Sequence, residues 1–359
     1  MFFIGFKGHT VQNHYGGIST IICGIIFIIF GFYQIFFGLF LYPYIGFTVW
    51  WMGIIIAING IFGLFVRREL KKIGIEHQNG AYPASATSQK SSLRKFIHIM
   101  TQQNPNGDNI SLKMEAFRKS FHLWGILFIL AYFGFFFLPP LTEMVNRNVI
   151  DFIKETKWLY SIIWGDVDKY PYKKKDFQAV IDITMFALIG ALFFTVIPDI
   201  IRVIWGPEYS FLNFITKPIL RNKEQNSIGP QIFLLIGVSF SYMLYIMGLV
   251  NVLVAFTGIL IACFSDALAA LVGRFFGKHK VKCIVGNIKS IEGFIAGTSS
   301  AFIIGLILLG PIYAFLAAFI FFLLDYFPIY IADNILNPIV IIIVIHLAVF
   351  FSGIPIGWY

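Results

Sequence analysis

Long apolar runs, broken by short polar or basic interruptions, dominate this chain. A helix needs roughly 20 apolar residues to cross about 30 Å of hydrocarbon, and runs of about that length recur along the whole sequence. They predict spans at 18–41, 46–66, 120–139, 178–204, 231–249, 251–272, 291–309, 312–331 and 338–352. The first run is too long for a signal-peptide apolar region and lacks a small-residue cleavage site, so it is expected to be retained. The loop 67–119 begins with Arg67, Arg68, Lys71 and Lys72 and ends with Arg118 and Lys119, and the charges of the loop 273–290 are wholly basic. Basic loops stay on the cytoplasmic side, which puts both loops inside, the N-terminus inside and Tyr359 outside. The turns at 42–45, near 250 and at Gly310-Pro311 carry no charge, in agreement.

Composition takes the same side. With 58% hydrophobic, 18% aromatic and 13% charged residues, the chain is far from a soluble domain. The expected fold is an all-α, polytopic transmembrane helix bundle of about nine spans. Its expected organisation is an N-terminal two-span segment at 1–66, a cytoplasmic polar loop at 67–119 and a catalytic transmembrane domain at 120–359. A polar Ser-rich linker is read at 78–92, and Trp158, Tyr160 and Trp164 predict a helix lying in the interface within 140–177. The net charge of +9 gathers beside span ends, where it suits anionic lipid headgroups rather than nucleic acid. Cys23, Cys263 and Cys283 have no CxxC spacing, so neither a disulfide framework nor a zinc site is indicated. The expected location is a multi-pass protein of the plasma membrane in a prokaryote or of the endoplasmic reticulum in a eukaryote. Oligomeric state has no signature in the sequence.

Charges inside spans change the picture from membrane protein to membrane protein with a site. Asp199, Arg202, Asp266, Glu292 and Asp325 all fall in the inner third of their spans, Asp266 roughly 9 Å from the inner end at 1.5 Å per residue. Each costs at least about 2.5–3.5 kcal/mol on insertion scales, so their sharing one layer suggests function. Gly258, Ala262, Asp266, Ala270 and Arg274 form one i, i+4 row, and Lys289, Gly293, Gly297, Ala301 and Gly305 form another. Small residues at that spacing predict close helix contact. Gly273 and Gly277 then lead into a Lys-rich loop. Backbone N–H groups freed by glycines, lysines that neutralise charge and a carboxylate that holds Mg²⁺ together suit a polyphosphate.

The stretch SDALAALVGRFFGKHK followed by KSIEGFIAG resembles the CTP-using membrane transferases: dolichol kinase, phytol kinase and CTP-dependent diacylglycerol kinase, with the related phosphatidate cytidylyltransferases. The resemblance rests on Ser265-Asp266, on Gly273-Arg274 with Gly277-Lys278, and on Lys289-Ser290 with Glu292-Gly293. RKSFHLWG, carrying Arg118, Lys119 and His122, and ADNILNP, carrying Asp333, Asn334 and Pro338, are similar to kinase segments, while the acid-rich terminal signature of the cytidylyltransferases is missing. The similarity covers roughly residues 115–345.

What the resemblance implies is a lipid kinase that moves the γ-phosphoryl group of CTP to a lipid alcohol (polyprenol or dolichol, another isoprenoid alcohol, or diacylglycerol) at the cytoplasmic face with Mg²⁺. Asp266 is then the first metal ligand. Gly273, Arg274, Gly277, Lys278, Lys289 and Ser290 hold the nucleotide, and Asp333 and Glu224 supply a second carboxylate as metal ligand or base. The alternative within the same group is cytidylyl transfer to a lipid phosphate. A third reading, a transporter, would place polar groups near mid-depth around broken helices, where only His346 is expected.

Overall fold

In a computed structural model the described residues are 1–38, 40, 44–72, 92–102, 112–155, 158, 177–220, 224–283, 288–327 and 331–358. The helices are α1 (Phe2–Thr10), α2 (His14–Phe37), α3 (Tyr44–Lys72), α4 (Ser92–Thr101), α5 (Leu112–Phe137), α6 (Pro139–Glu155), α7 (Phe177–Ile204), a short α8 (Asn213–Thr216), and α9 (Pro230–Ile246). Four more follow: α10 (Val252–Phe275), α11 (Ile291–Leu309), α12 (Pro311–Tyr326) and α13 (Asp333–Ser352). A small antiparallel hairpin, β1 (Lys280–Lys282) and β2 (Ile288–Ser290), pairs Lys280 with Ser290 and joins α10 to α11. The linker at 78–91, the run Lys173–Lys175, Tyr160, Trp164 and Tyr359 lie outside the described residues.

The chain is a multi-pass membrane helix bundle. Six described helices are long and apolar enough to cross a bilayer: His14–Phe37, Thr48–Lys72, Val180–Ile204, Val252–Phe275, Ile291–Leu309 and Asp333–Ser352. These six match the predicted spans 18–41, 46–66, 178–204, 251–272, 291–309 and 338–352. Two predicted spans form shorter apolar helices, α9 and α12: each begins at the proline of a Gly-Pro pair, one residue before its predicted start, and ends before its predicted end, at Ile246 and Tyr326. Proline is welcome at the first helical position, where its missing N–H has no partner to lose. Gly310 adds a φ of 86° at the turn into α12, a conformation few other residues adopt. The predicted span 120–139 falls on α5, which starts earlier, at Leu112.

Large apolar side chains cover the outside, including Phe36, Phe65, Ile307, Phe315 and Phe351. In water such a surface would aggregate; against acyl chains it needs no cover. Inside, α9 packs against α2, α7 and α13, and Tyr242, Phe256 and Ile232 are buried around it. Helices approach closely where glycine leaves room. A Cβ on Gly237 of α9 would stand 2.8 Å from Pro338 Cγ of α13, and one on Gly297 of α11 would stand 2.8 Å from Ala269 Cβ of α10.

Helix α10 is not uniform. Residues Ile261–Ser265 form a π turn, in which the Asp266 amide donates to the Ile261 carbonyl five residues back. The extra residue turns everything beyond it by about 100° relative to a continuous α-helix. The predicted row Gly258–Ala262–Asp266–Ala270 is therefore broken. Gly258 packs on Pro338 and Ile342 of α13, whereas Ala269 and Gly273, one position off the predicted row, meet Gly293 and Gly297 of α11.

The N-terminal hairpin of α1 and α2 is joined to the rest by polar bolts. Asn13 caps α2 by accepting from Gly16 N at 3.0 Å. Ser19 Oγ accepts from Ala332 N at 2.9 Å, and Thr20 Oγ1 accepts from Ile228 N at 3.4 Å. Two irregular segments, 224–229 and 331–332, are thereby held against α2.

Candidate active site

Those two segments, with the β hairpin, surround a cavity of about 520 Å³. Four helices begin at its wall: α2 through Asn13, Tyr15 and Gly16, α9 through Pro230, α11 through Ser290 and Gly293, and α13 through Asp333 and Asn334. Each helix start carries roughly half a positive charge in its unpaired N–H groups. The first two turns of α5 add Glu115, Arg118 and Lys119. The far end of α10 adds Asp266, Gly273 and Arg274, the hairpin adds Lys280 and Lys289, and α12 ends there with Asp325.

Most of the charges are paired across elements. Lys119 Nζ lies 2.5 Å from Asp266 Oδ2, and Lys289 Nζ lies 2.5 Å from Asp325 Oδ1 and donates to the Asp325 carbonyl at 2.9 Å. Glu115 and Arg118 lie 3.8 Å apart, Arg118 and Glu224 3.6 Å, and Arg274 and Glu115 3.2 Å, so acids and bases alternate from the 224–229 segment through α5 to α10. Asp333 differs. Its Oδ1 accepts from the Asn334 amide at 3.2 Å, and among the described residues it forms no ion pair. Burial works against the Lys289 charge, but Asp325 and Asp333 outweigh it and hold its ammonium above the ordinary lysine range.

Of the residues expected to carry chemistry, Asp266, Lys289, Asp333, Glu224, Gly273, Arg274 and Ser290 all line this cavity. Ser290 also caps α11, accepting from Gly293 N at 3.1 Å. Gly277 and Lys278 are placed off the wall. A Cβ on Gly277 would stand 2.6 Å from Ser290 Cβ, so that glycine lets the end of α10 close on β2. The Lys278 amide donates to Glu292 Oε1 at 3.1 Å, and His279 Nδ1 lies 2.8 Å from the same oxygen. Glu292 anchors the approach to β1 and stays off the wall.

Asp199 and Arg202 leave the site as well. Their buried pair is bidentate, at 2.7 and 3.2 Å, and the guanidinium also donates to the carbonyls of Gln225 and Ser227 at 2.7 Å each. Gly229 N donates to Asp199 Oδ2 at 2.9 Å. The pair is a clamp on the segment that carries Glu224 and Ser227. His122 is buried beside the wall. Its ring bonds to the Ala262 carbonyl of the π turn, and its Nδ1 stands 3.2 Å from Asp266 Oδ2 at an angle that leaves that nitrogen without a hydrogen bond.

Lys280, also on the wall, comes from the Lys-rich loop that the sequence pointed to as a whole, whereas Glu115, Tyr15, Asn13 and Asn337 were missed. Glu115 had a signal, since it stands three residues before Arg118 at pairing distance on a helix. The others had none.

Among the described residues no three His, Cys, Asp or Glu side chains converge to cage a metal. Asp266 is already engaged by Lys119. Mg²⁺, however, keeps several waters and takes one or two carboxylates together with phosphate oxygens, so an ion arriving with a nucleotide needs no cage. Asp266 and Asp333 fit that more modest role. Comparison with protein-family models, with curated proteins and with solved structures found no match to this chain.

Proposed function

We propose that the protein is a membrane lipid kinase that transfers the γ-phosphoryl group of CTP to the hydroxyl of a lipid alcohol. One observation carries this reading. Four helix starts and the side chains of Arg118, Lys119, Arg274 and Lys289 surround one cavity that is also lined by Phe233, Phe294, Leu324 and Ile331. The polar part suits a polyphosphate and the apolar part suits the body of a lipid. The choice of CTP rests on the resemblance of the 264–297 stretch.

Phosphoryl transfer asks a protein mainly for positioning and charge stabilisation. The hydroxyl oxygen of the lipid attacks the γ-phosphorus, the bond from that phosphorus to the β–γ bridging oxygen breaks, and CDP leaves with the bond's electron pair. The hydroxyl proton passes to a carboxylate and then to solvent. Asp333 suits that role better than Glu224, because Glu224 faces Arg118 at 3.6 Å while Asp333 has no ion-pair partner among the described residues. Asp266 would hold a Mg²⁺ ion that arrives with the nucleotide, and that ion would supply charge neutralisation on the phosphates. Arg274 and Lys289 steady the phosphates from the end of α10 and from β2. To do so they exchange Glu115 and Asp325 for phosphate oxygens.

The test follows the label. Purified protein with a panel of lipid alcohols should move label from [γ-³²P]CTP into lipid and leave [α-³²P]CTP outside the lipid fraction, with CDP accumulating in step. Label entering only from the α position, with pyrophosphate released, would assign cytidylyl transfer instead. No incorporation from either position across the panel would sink both chemistries.

A further inference from the structure

The cavity wall divides by chemistry. Among the described lining residues, every Lys and Arg comes from α5, the end of α10 or the β hairpin. The part built by the start of α2, by 224–233 and by 331–337 contributes no cation. It presents Asp333 among Tyr15 and Asn337, with Phe233, Ile331 and Leu336 between them. Its helix starts favour an anion, but with no Lys or Arg beside them and with the Glu224 and Asp333 carboxylates on the same wall, this part suits a polyphosphate less well than the cationic part does. An uncharged hydroxyl on a hydrocarbon body fits it, because the hydroxyl finds donors and acceptors and the body finds apolar side chains.

One group there is open to a ligand, and a second stands beside the base. Asn337 is 3% exposed, yet its Oδ1 has no hydrogen-bond partner. Its neighbours are spoken for: Asn334 Nδ2 donates to the Pro230 carbonyl at 3.2 Å, and Ser227 Oγ donates to the Glu224 carbonyl at 3.2 Å. A buried amide oxygen left unpaired is costly, and a partner that arrives with substrate accounts for it. Tyr15 is 43% exposed, its hydroxyl bonds to the backbone of Asp333, and it lies within electrostatic reach of Asp333, Glu224 and Arg118, so a ligand hydroxyl arriving at Asp333 meets it. It is also held in place, since the Ser19 and Thr20 bolts tie α2 to the backbone at Ala332 and Ile228.

We infer that Tyr15 and Asn337 form the acceptor subsite, which takes an uncharged hydroxyl carried on an apolar body; this deepens the phosphoryl-transfer reading and rests on it. The N-terminal hairpin is then part of the substrate site rather than an appended pair of spans. The nucleobase of CTP is the other source of uncharged hydrogen-bonding chemistry, and the test separates the two.

The full chain in lipid nanodiscs is titrated with three probes: a photoreactive long-chain alcohol read by crosslinking, CTP, and inorganic tripolyphosphate, the last two read by thermal shift. Tyr15→Phe and Asn337→Leu should each weaken alcohol labelling roughly tenfold, the weight of about one hydrogen bond, and leave tripolyphosphate and CTP within about twofold. Asn337→Ser, smaller and still polar, stands in should the leucine variant not fold. Unchanged alcohol labelling overturns the subsite. A fall for all three probes overturns it too, as general damage to the cavity, and a fall for CTP alone hands these residues to the nucleobase. Should the wild type bind neither CTP nor tripolyphosphate, the kinase reading fails by itself, while the dependence of alcohol labelling on Tyr15 and Asn337 still decides the subsite.

Discussion

Lys119 Nζ and Asp266 Oδ2 stand 2.5 Å apart, with side chains only 7% and 10% exposed, and they join the second turn of α5 to the first residue after the π turn of α10. Neither charge is affordable there alone. Removing one partner of a buried pair typically costs about 3–5 kcal/mol, whereas removing both can be nearly neutral. Asp266→Asn should therefore lower stability as well as activity, and Lys119→Met added to it should restore much of the stability. Turnover should stay down at least about a hundredfold in both proteins, because the phosphate-side carboxylate is gone in each. Chemical unfolding in detergent alongside turnover checks this, and a double variant as unstable as the single one would refute the pairing argument.

Gly125 of α5 faces Cys263 in the π turn so closely that a Cβ would collide with Sγ, while the Cys263 Cβ would stand at an ordinary 3.4 Å. The collision is with one atom. Gly125→Ala should destabilise by about 1–3 kcal/mol, as overpacking in a filled core does. Combining it with Cys263→Ala removes the offending sulfur and should recover most of the loss. Thermal unfolding of the three variants gives the coupling, and strict additivity would mean that α5 and the π turn do not touch at this point.

How much of this was legible beforehand differs by residue. Asp266, Arg274 and Lys289 could be picked out because charge is rare in an apolar chain and they fall on rows of small residues, and Asp333 because of the resemblance carried by ADNILNP. The direction in which α10 faces could not. No residue type announces the π turn at Ile261–Ser265, and an unbroken 3.6-residue period puts Ala270 where Ala269 stands. Tyr15 and Asn13 were invisible for another reason. Asn13 meets Ser227 across 214 residues of chain, and no periodicity within one helix records such a contact. Counting apolar residues also overran the ends of α9 and α12, which stop at Ile246 and Tyr326 although apolar residues follow in the sequence.

Lys289 lies on β2, and its charge is favoured in the folded protein because Asp325 and Asp333 outweigh the effect of burial on an ordinary value of 10.5. A group whose folded value is raised gives stability that is complete below the unfolded value and is lost as pH climbs through the folded one. Lys289→Met leaves the Asp325 carboxylate, 8% exposed, without its cation. The stability gap between wild type and this variant should thus be flat from about pH 7 to about pH 10 and narrow only above that. Unfolding midpoints across this range provide the measurement. A gap that closed already by about pH 8.5 would contradict the raised value.

Arg202 makes the strongest case for a residue that acts on the site from outside it. Its guanidinium is 3% exposed in side-chain terms and spends its donors on three partners, the Asp199 carboxylate and the carbonyls of Gln225 and Ser227. A planar fork can serve three acceptors in fixed directions; an ammonium on a flexible stem cannot. Arg202→Lys keeps the charge next to Asp199 and so avoids most of the cost of an unpaired buried carboxylate, but it surrenders at least one carbonyl. The expected result is a folded protein in which the amides of 225–229 exchange with solvent faster, because the clamp on that segment is loosened, while α9 beyond Pro230 keeps its protection. Glu224 would then lose its fixed place opposite Arg118, so turnover should fall roughly tenfold with the tripolyphosphate affinity little changed. Arg202→Met should be far less stable than either, since it strands Asp199. Hydrogen exchange resolved by segment distinguishes the cases: uniform loosening of the whole bundle in Arg202→Lys would reduce the pair to a general stabiliser, and unchanged exchange at 225–229 would show that the carbonyl contacts hold nothing in place.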